Sequence, residues 1–278
     1  MKKVTRLYKC DILCGMKISL LISTYNWAEA LELVLLSAIR QSLLPDEILI
    51  ADDGSGESTR ALIDSMRSQT TVPIHHIWHE DQGYRKTTIV NKAIEEATGD
   101  YIIQVDGDVI LHKHFIHDHC AFSAPNRFIR GYRIHLNKAQ AAHTLEHKII
   151  DFPLVHHCHT IVLKAIRFPL LSSIFRRDRL DCRRVYGCNL SFWRADAIKV
   201  NGYNNDFFGW GNDDQEFASR LVNIGIKRRK VRFALKQWHI YHPESSREME
   251  SKNKELLQHT MKSKATYCTN GIVQDYHP

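Results

Sequence analysis

Residues 101–108, YIIQVDGD, carry the pattern that decides the fold class of this chain. The apolar run Tyr101–Val105 predicts a buried strand, and Asp106-Gly107-Asp108 follows it without a break. Two carboxylates that flank a small residue can hold one hard divalent cation, with phosphate oxygens of a substrate as further ligands. A β-turn also favours Asp and Gly, so the motif alone leaves both interpretations open.

The segments before residue 101 repeat this pattern of an apolar strand followed by polar residues. Strands are predicted at Lys17–Ser23, Glu47–Ala51, Ile74–His79 and Tyr101–Val105, and helices at Trp27–Gln41, Ser58–Ser68 and Thr87–Ala97. This β-α-β alternation predicts the α/β class, with a mainly parallel, Rossmann-like sheet flanked by helices. Polar clusters at 23–26, 52–55 and 106–108 each follow a strand, and we expect them to meet at the ligand-binding edge of the sheet.

The second half of the chain is less regular. Strands are predicted at 128–136, Gly187–Trp193 and Lys230–Trp238, and helices at Asp214–Asn223 and Ser245–Lys264. Residues 137–184 show no clear period. No internal repeat or low-complexity linker divides the chain into independent units.

The composition is that of a globular protein. The 278 residues are 44% hydrophobic and 25% charged, which excludes a coiled coil, a collagen-like chain and a disordered tail. No stretch approaches the roughly 20 apolar residues of a membrane-spanning helix. The 38 basic and 31 acidic residues give a net charge of +7, which suits an anionic partner such as a nucleotide, a nucleic acid or an acidic lipid surface.

The cysteines do not form the pattern of a disulfide framework. There are seven of them, at positions 10, 14, 120, 158, 182, 188 and 268, and no CxxC motif occurs. A reduced, cytoplasmic setting is the simpler interpretation. The apolar run Ile18–Ile22 is too short for the core of a signal peptide, and we interpret residues 1–15 as an N-terminal extension or a misassigned start.

Several other chemistries are disfavoured. The chain has no GxGxxG, GxxxxGK[ST] or GxSxG motif, which argues against a nicotinamide Rossmann enzyme and a P-loop ATPase. Histidines cluster at 112–119 and 156–159 without the paired spacing of a structural zinc site. The basic stretches 176–184 and 227–230 come without a recognition module, so no nucleic-acid partner is expected.

Six segments in order carry a family resemblance. They are Ile22–Asn26, Ala51–Ser55, Asp81–Arg85 with Asn91–Ala93, Asp106–Asp108, Gly187–Ser191 and Phe208–Glu216. Together they resemble the family 2 glycosyltransferases with the GT-A fold. The last two segments resemble the galactosyltransferase-like C-terminal region of chondroitin-polymerase-type bacterial enzymes. The likeness extends over residues 17–243.

The resemblance implies a nucleotide-sugar pocket in the first half. Its residues would be Ser23, Tyr25, Asp52, Asp53, Arg85, Asp106 and Gly107. Asp52 or Asp53 would accept a hydrogen bond from the uracil or ribose, and the planar cation of Arg85 suits a phosphate or a base face. The implied metal ligands are Asp108, as the more direct one, His242 and Asp106, which would face both the ribose and the ion. His239 competes with His242 for this role, and Mn²⁺ is the expected ion, with Mg²⁺ as the alternative.

The implied acceptor side contains Asn189, Trp210, Gly211 and Asp213, with Asp214 as the catalytic base. A sugar hydroxyl has a pKa far above neutrality, so its attack needs a base within hydrogen-bond reach, and an indole face packs well against a sugar ring. The family pattern is Glu-Asp where this chain has Asp213-Asp214, so the departure falls on Asp213. The same two residues also suit an acidic first turn of a helix, and both interpretations can hold together.

These implications give one GT-A domain at 16–243, between the extension 1–15 and a helical tail at 244–278. Its nucleotide-sugar half would cover residues 16–125 and its acceptor half residues 126–243. The expected activity is inverting, metal-dependent transfer from a UDP-sugar to a surface polysaccharide or a lipid-linked glycan. Galactose or N-acetylgalactosamine is favoured as the donor sugar, and glucose and N-acetylglucosamine stay open. The alternatives are a nucleotidyltransferase and a non-catalytic glycan- or membrane-surface-binding module.

An apolar segment beside a basic one raises the question of a membrane contact. Ile161–Phe175 is apolar but interrupted by charges, and the arginine-rich stretch 176–184 follows at once. Such a pair suits peripheral binding to an anionic leaflet, here the cytoplasmic face of the inner membrane. A buried helix beside a solvated loop explains the same pattern, and the sequence leaves both open.

Overall fold

The computed structural model describes residues 15–152, 165–243 and 246–274. The strands are β1 (Ile18–Thr24), β2 (Glu47–Asp52), β3 (Ile74–Trp78), β4 (Tyr101–Asp106), β5 (Val109–Leu111), β6 (Arg127–Arg130), β7 (Ile134–His135), β8 (Arg177–Arg179), β9 (Leu190–Trp193), β10 (Lys227–Lys230) and β11 (Gln237–His239). The helices are α1 (Ala28–Ala38), α2 (Glu57–Arg67), α3 (Lys86–Glu96), α4 (Phe115–Phe122), α5 (Lys138–Glu146), α6 (Pro169–Phe175), α7 (Arg194–Lys199), α8 (Asp213–Asn223) and α9 (Glu250–Ser263). Three sequence predictions concern residues outside the described ranges. They are the N-terminal extension up to residue 14, the histidine cluster 156–159, and residues 161–164 at the start of the apolar segment.

A mixed sheet of eight described strands forms the centre of the fold, in the order β3-β2-β1-β4-β9-β6-β10-β8. Neighbouring strands from β3 to β4 are parallel, and β9 runs antiparallel to both β4 and β6. A smaller sheet has the order β5-β11-β7. The α/β class with a mainly parallel sheet in its first half is confirmed.

Helices cover both faces of the parallel strands because these strands are apolar on both sides. Leu20 and Ile48 belong to one buried cluster with residues of α1 and α2. Leu21 and Leu49, which point to the opposite face, belong to a second cluster with residues of α3. Burial on both faces is typical of parallel sheets, and it leaves the strand ends as the places for polar groups.

The second half departs from the predictions at two strands. The predicted strand 128–136 is two strands in different sheets, and it breaks near Gly131, where the amide of Asn189 fills the space of a Cβ atom. The prediction of a strand at 230–238 is wrong for its middle, because Phe233 and Leu235 have φ of 60° and 57°, which no regular strand contains. The helix α4 lies in the histidine-rich segment and has buried polar residues, which hide its hydrophobic period.

Several features of composition have direct structural counterparts. The four described cysteines, Cys120, Cys182, Cys188 and Cys268, are buried and free. Every helix in the described ranges is too short or too polar to cross a lipid bilayer.

The helical tail packs against α8 through a buried ion pair. Arg220 donates to Glu216 through Nε at 2.9 Å and Nη2 at 2.8 Å, and the Thr260 hydroxyl of α9 donates to Glu216 Oε1 at 3.0 Å. Both charged side chains are almost completely buried. The Asn253 side chain of α9 also donates to the carbonyl oxygen of Phe208 at 2.9 Å. These contacts tie α9 to the segment at 208–216, while the domain division at residue 244 stays a prediction.

We expect the substitution Glu216→Ala to lower the free energy of unfolding by about 3–5 kcal/mol, because it leaves the buried Arg220 cation without its partner. Urea unfolding followed by circular dichroism measures this loss. The control is Asp64→Ala, which removes the partner of Arg67 in an exposed pair and should cost less than about 1 kcal/mol. Equal losses in the two variants would contradict the role of the buried pair.

Candidate active site

A cavity of about 370 Å³ opens at the carboxyl ends of β1, β2 and β4. Seven of the residues expected at the site line it: Ser23, Tyr25, Asp53, Asp106, Gly107, Asp108 and His242. Trp27, Tyr84 and Lys86 complete much of the remaining wall. The convergence expected from the strand order is therefore present, although these residues come from distant parts of the chain.

The two aspartates after β2 have different environments. Asp52 is fully buried, accepts a hydrogen bond from the Ser55 backbone N–H at 2.8 Å and lies 2.8 Å from His76 Nε2. Asp53 lines the cavity, lies 2.7 Å from His79 Nε2 and accepts from the Arg85 backbone N–H at 2.9 Å. Asp52 thus shapes the turn, and Asp53 is the one that faces the cavity.

Of two further residues expected at the nucleotide, Tyr25 lines the cavity and Arg85 does not. The Arg85 guanidinium donates to the Glu80 carbonyl oxygen at 2.7 Å, and Arg85 is not among the residues that line the cavity. Tyr25 is half-exposed, and its hydroxyl donates to Asp81 Oδ2 at 2.8 Å. Both side chains are therefore held by the loop 80–85.

Gly107 keeps the acidic turn against the end of β1. Its N–H donates to the Ser23 carbonyl oxygen at 2.7 Å, and a Cβ atom here would lie 2.8 Å from Thr24 Oγ1. The Ser23 hydroxyl donates to Asp106 Oδ1 at 3.0 Å. A glycine is required because any larger residue would push the two carboxylates away from β1.

Asp108, His239 and His242 form a compact group of ligand atoms that lie within 4.8 Å of one another. Asp108 Oδ2 lies 3.3 Å from His239 Nε2 and 3.1 Å from His242 Nε2. The pairing of β11 with β5 brings them together, because the Ile240 N–H donates to the Asp108 carbonyl oxygen at 2.9 Å. His239 and His242, the two candidate ligands from the sequence, therefore both lie beside Asp108.

The donor set of this group suits a divalent transition ion. One carboxylate and two imidazoles are ligands of the kind that Mn²⁺ and its neighbours accept. Asp108 Oδ1 is buried and has no hydrogen-bond partner among the described residues, as expected of an atom reserved for a ligand. Burial raises the pKa of Asp108, but hydrogen bonds from His239 and His242 prevail and hold it well below its usual value. The hydrogen bond to Asp108 raises the pKa of His242.

Asp106 lies apart from this group. Its Oδ1 atom accepts from Ser23 and from Lys86 Nζ, the latter at 2.8 Å. The role of Asp106 as a metal ligand stays a prediction, and its present partners are a hydroxyl and a cation.

A second cavity of about 240 Å³ adjoins the first, because Tyr84 and Lys86 line both. Its wall also contains Trp210, Gly211, Asp213 and Asp214. The Trp210 ring is partly exposed, and the Arg247 guanidinium lies 5.0 Å from its centroid. Four residues expected on the acceptor side are therefore brought together beside the first cavity.

Asp214 is held by the backbone at 187 and by a tyrosine. Its Oδ2 accepts from the Gly187 N–H at 2.6 Å, and its Oδ1 lies 3.1 Å from the Tyr203 hydroxyl. A Cβ atom at Gly187 would overlap this carboxylate. Burial and the neighbouring Asp213 raise the pKa of Asp214 to about 7, against the opposing charge of Lys86. Burial also raises the pKa of Asp213.

Lys86 is the functional residue that sequence reasoning missed. Burial lowers its pKa, but the charges of Asp106 and Asp214 outweigh this effect and raise it well above its usual value. Lys86 is thus a cation between the two cavities. No motif marks Lys86, because its partners lie at the end of β4 and at the start of α8, and only the packing of these elements makes them neighbours.

Asn189 is the expected acceptor-side residue that lies elsewhere. It is almost fully buried, and its Nδ2 donates to the carbonyl oxygens of Tyr132 at 2.8 Å and Leu235 at 3.1 Å. Its Oδ1 lies 3.1 Å from His119 Nε2. These bonds connect β9 with the segments at 132 and 235, and Asn189 is not among the residues that line the two cavities.

Two family models match the chain in succession. The model for glycosyl transferase family 2 matches residues 19–128, and the model for the N-terminal domain of galactosyltransferase matches residues 174–243. The first match contains the 370 Å³ cavity's strand ends, and the second contains Asp213, Asp214, His239 and His242.

Characterised relatives are similar over most of this chain. Validoxylamine A glucosyltransferase of Streptomyces hygroscopicus subsp. limoneus is 25% identical over 221 residues, which cover 75% of this chain and 48% of that protein. Chondroitin synthase of Escherichia coli is 23% identical over 255 residues, which cover 82% of this chain and 34% of that protein. The chain thus spans about half or less of the length of these relatives.

Solved structures share the fold. The crystal structure of S. aureus TarS has a TM-score of 0.61 at 14% identity and covers 90% of this chain and 41% of its own. The mannosyltransferase PcManGT from Pyrobaculum calidifontis, solved with GDP-Man and Mn²⁺, has a TM-score of 0.57 at 15% identity and covers 82% of this chain and 58% of its own. With both family models matched in order on this framework, the chain has the GT-A fold, with a glycosyl transferase family 2 region at residues 19–128 and a region at residues 174–243 that is similar to the galactosyltransferase model.

Proposed function

We propose that this chain transfers a hexose from a UDP-sugar to a glycan acceptor, with inversion at the anomeric carbon and with a divalent metal ion. The observation that carries the proposal is the pair of adjoining cavities. One has Asp108 and His242 of the metal-ligand group at its wall, the other contains the buried Asp214 carboxylate, and Lys86 lines both.

The first cavity is the proposed donor site. A fragment of S. aureus TarS with a TM-score of 0.60 to this chain was solved in complex with UDP, and PcManGT with GDP-Man and Mn²⁺. Asp53 faces the cavity with a carboxylate that a ribose or uracil can reach, and the Tyr25 and Trp27 rings offer flat surfaces. Asp108, His239 and His242 would hold Mn²⁺, with Mg²⁺ as the alternative, and the bound ion supplies positive charge to a diphosphate leaving group.

The second cavity is the proposed acceptor site, with Asp214 as the base. Its carboxylate takes the proton of the acceptor hydroxyl, and the oxygen then attacks the anomeric carbon from the side opposite the leaving group. A single displacement of this kind inverts the anomeric carbon and needs no enzyme nucleophile. Lys86 keeps Asp214 partly ionised near neutral pH, because its charge opposes the rise in pKa that burial and Asp213 cause.

The comparisons support a preference among donor sugars and acceptors. Relatives include enzymes named chondroitin synthase and validoxylamine A glucosyltransferase, and the second half matches a galactosyltransferase model. We therefore favour galactose or N-acetylgalactosamine as the donor sugar, keep glucose and N-acetylglucosamine open, and propose a surface polysaccharide or lipid-linked glycan as the acceptor. Free, buried cysteines fit a reaction in the cytoplasm.

The alternatives lack supporting observations. A nucleotidyltransferase normally has a glycine-rich, basic loop after the first strand, and this chain has Ser23-Thr24-Tyr25-Asn26 there. A non-catalytic glycan- or membrane-binding module has no need for a carboxylate with a pKa near 7 beside a metal-ligand group.

The first prediction from the proposed function concerns the group of Asp108, His239 and His242. Asp108→Asn should abolish the part of UDP affinity that depends on Mn²⁺, because it removes the central carboxylate of the group. Calorimetric titration of UDP with Mn²⁺ and then with EDTA measures this part in the unmodified protein and in the variant.

The matched control is His147→Ala, which removes an exposed histidine near another acidic side chain, Glu146, on the surface of α5. This variant should bind UDP as the unmodified protein does. UDP binding that is equally tight with Mn²⁺ and with EDTA in the unmodified protein would contradict a metal-dependent donor site.

The second prediction concerns the base. Asp214→Asn should lower kcat by about 10²–10⁴-fold and leave the affinity for UDP nearly unchanged, because Asp214 lines only the second cavity. In the unmodified enzyme kcat/KM should rise with pH through about 7, as Asp214 loses its proton. The measurement is the pH profile of UDP release from UDP-sugar in the presence of acceptor.

Asp213→Asn tests the electrostatics of this assignment. Removing the like charge of Asp213 lowers the pKa of Asp214, so the rising limb of the profile should move to lower pH. A limb that stays in place in Asp213→Asn, or full activity in Asp214→Asn, would mean that another group is the base.

A further inference from the structure

One surface of the protein combines exposed apolar side chains with unpaired arginines. It is formed by residues 168–184, which include α6 and the edge strand β8, and we name it the α6–β8 face. Five of its large apolar side chains are exposed: Phe168, Leu170, Ile174, Phe175 and Leu180. Ile174 is 72% exposed, more than any other large hydrophobic side chain in the described part of the chain. Single exposed apolar residues are common, but a group of this density is typical of an interaction site.

The helix in this face is firmly held. Arg167, just before it, donates to the buried Asp118 carboxylate through Nε at 2.9 Å and Nη2 at 2.6 Å. Pro169 occupies the first helical position, and Ser172 is fully buried on the inner side of the helix. Leu170 and Ile174 lie one turn apart on the outer side, so their exposure is a fixed feature of the fold.

The net charge of the face is positive, because its two aspartates already form ion pairs with arginines. Asp178 accepts hydrogen bonds from Arg127 at 2.7 Å and from Arg229 at 2.8 Å. Asp181 forms an ion pair with Arg228 at 2.8 Å. Arg176, Arg177 and Arg179 are exposed, and among the described residues they form no ion pair. Arg184 extends the exposed positive charge, and Arg183, also exposed, lies 3.5 Å from Asp181.

We propose that the α6–β8 face docks on the surface of an anionic lipid bilayer. The apolar side chains of α6 would enter the boundary between headgroups and acyl chains, and the arginines would contact lipid phosphates. Charge complementarity identifies this partner, since an apolar protein partner would not require a rim of one sign. Arginine also suits phosphate because its planar fork can form two hydrogen bonds to one group.

The face lies next to the second cavity in the chain, so docking would bring that cavity to the membrane. This part of the inference depends on the proposed function. The chain runs from Arg184 directly into Val185 and Tyr186, which line the second cavity with Asp213 and Asp214. Arg130 Nε donates to the Arg184 carbonyl oxygen at 2.6 Å and fixes this connection to the sheet. A glycan carried on a membrane lipid would therefore meet the acceptor cavity where the protein meets the membrane.

The test is co-sedimentation of the full chain with vesicles of phosphatidylcholine alone and of phosphatidylcholine with phosphatidylglycerol. We expect binding to the anionic vesicles, weak binding to the neutral ones, and a decrease with added salt. The double variant Leu170→Glu/Ile174→Glu should lose about tenfold or more of the binding. Both side chains are exposed, so the variant should keep its circular dichroism spectrum.

The matched control is Met261→Glu, an apolar-to-acid change at a residue of α9 that is 49% exposed; this variant should bind vesicles as the unmodified protein does. No preference for anionic vesicles, or equal loss in the control and the double variant, would overturn the proposal. Dimerisation through this face would also overturn the proposal. In that case analytical ultracentrifugation would show a dimer for the unmodified protein and a monomer for the double variant. UDP titration of the same samples tests the proposed function separately from membrane docking, because vesicle binding needs no nucleotide. A failure of one proposal therefore leaves the other unaffected.

Discussion

The candidate active site depends on one electrostatic constraint, the sharing of a single lysine by several carboxylates. Lys86 contacts Asp106 at 2.8 Å, and its charge also acts on Asp213 and Asp214. Without that cation, burial and mutual repulsion would drive the carboxylates to take up protons. With it, the pKa of Asp214 stays near 7, where a carboxylate can both accept and release a proton.

The framework must hold these charges in place against their repulsion. Asp106 ends the buried strand β4, and Asp213 and Asp214 begin α8, whose N-terminal N–H groups favour negative charge. The buried pair of Glu216 and Arg220 fixes that helix to the tail. The stability of the fold and the proposed chemistry therefore depend on the same helix, and a change in its packing would displace Asp214, the proposed base, as well as weaken the fold.

The arrangement separates three tasks along one edge of the sheet. The pairing of β5 and β11 assembles the proposed metal-ligand group, and the ends of β1, β2 and β4 form the proposed donor cavity. The proposed acceptor cavity shares Lys86 with the first cavity, and its wall residues Val185 and Tyr186 directly follow the α6–β8 face in the chain. Under the proposed function, an extended acceptor would approach from that side without crossing the proposed donor cavity.

The sequence by itself determined the parallel half of the fold and the position of most of the site. Short apolar runs with polar ends predict strands whose carboxyl ends meet, and the motifs at 23–26, 52–55 and 106–108 do meet. The order of these motifs also sufficed for the family. These features are local, because each strand and the turn after it lie within about ten residues.

Only the tertiary structure decided the remaining features, because their partners are distant in the chain. It placed Asp53 rather than Asp52 at the cavity, because Asp52 is enclosed by the Ser55 N–H and His76. It paired Lys86 with Asp106 and turned Asn189 into a buried connector of three segments. It also broke the expected strand at 230–238, where backbone strain at Phe233 and Leu235 is imposed by packing that no local pattern records.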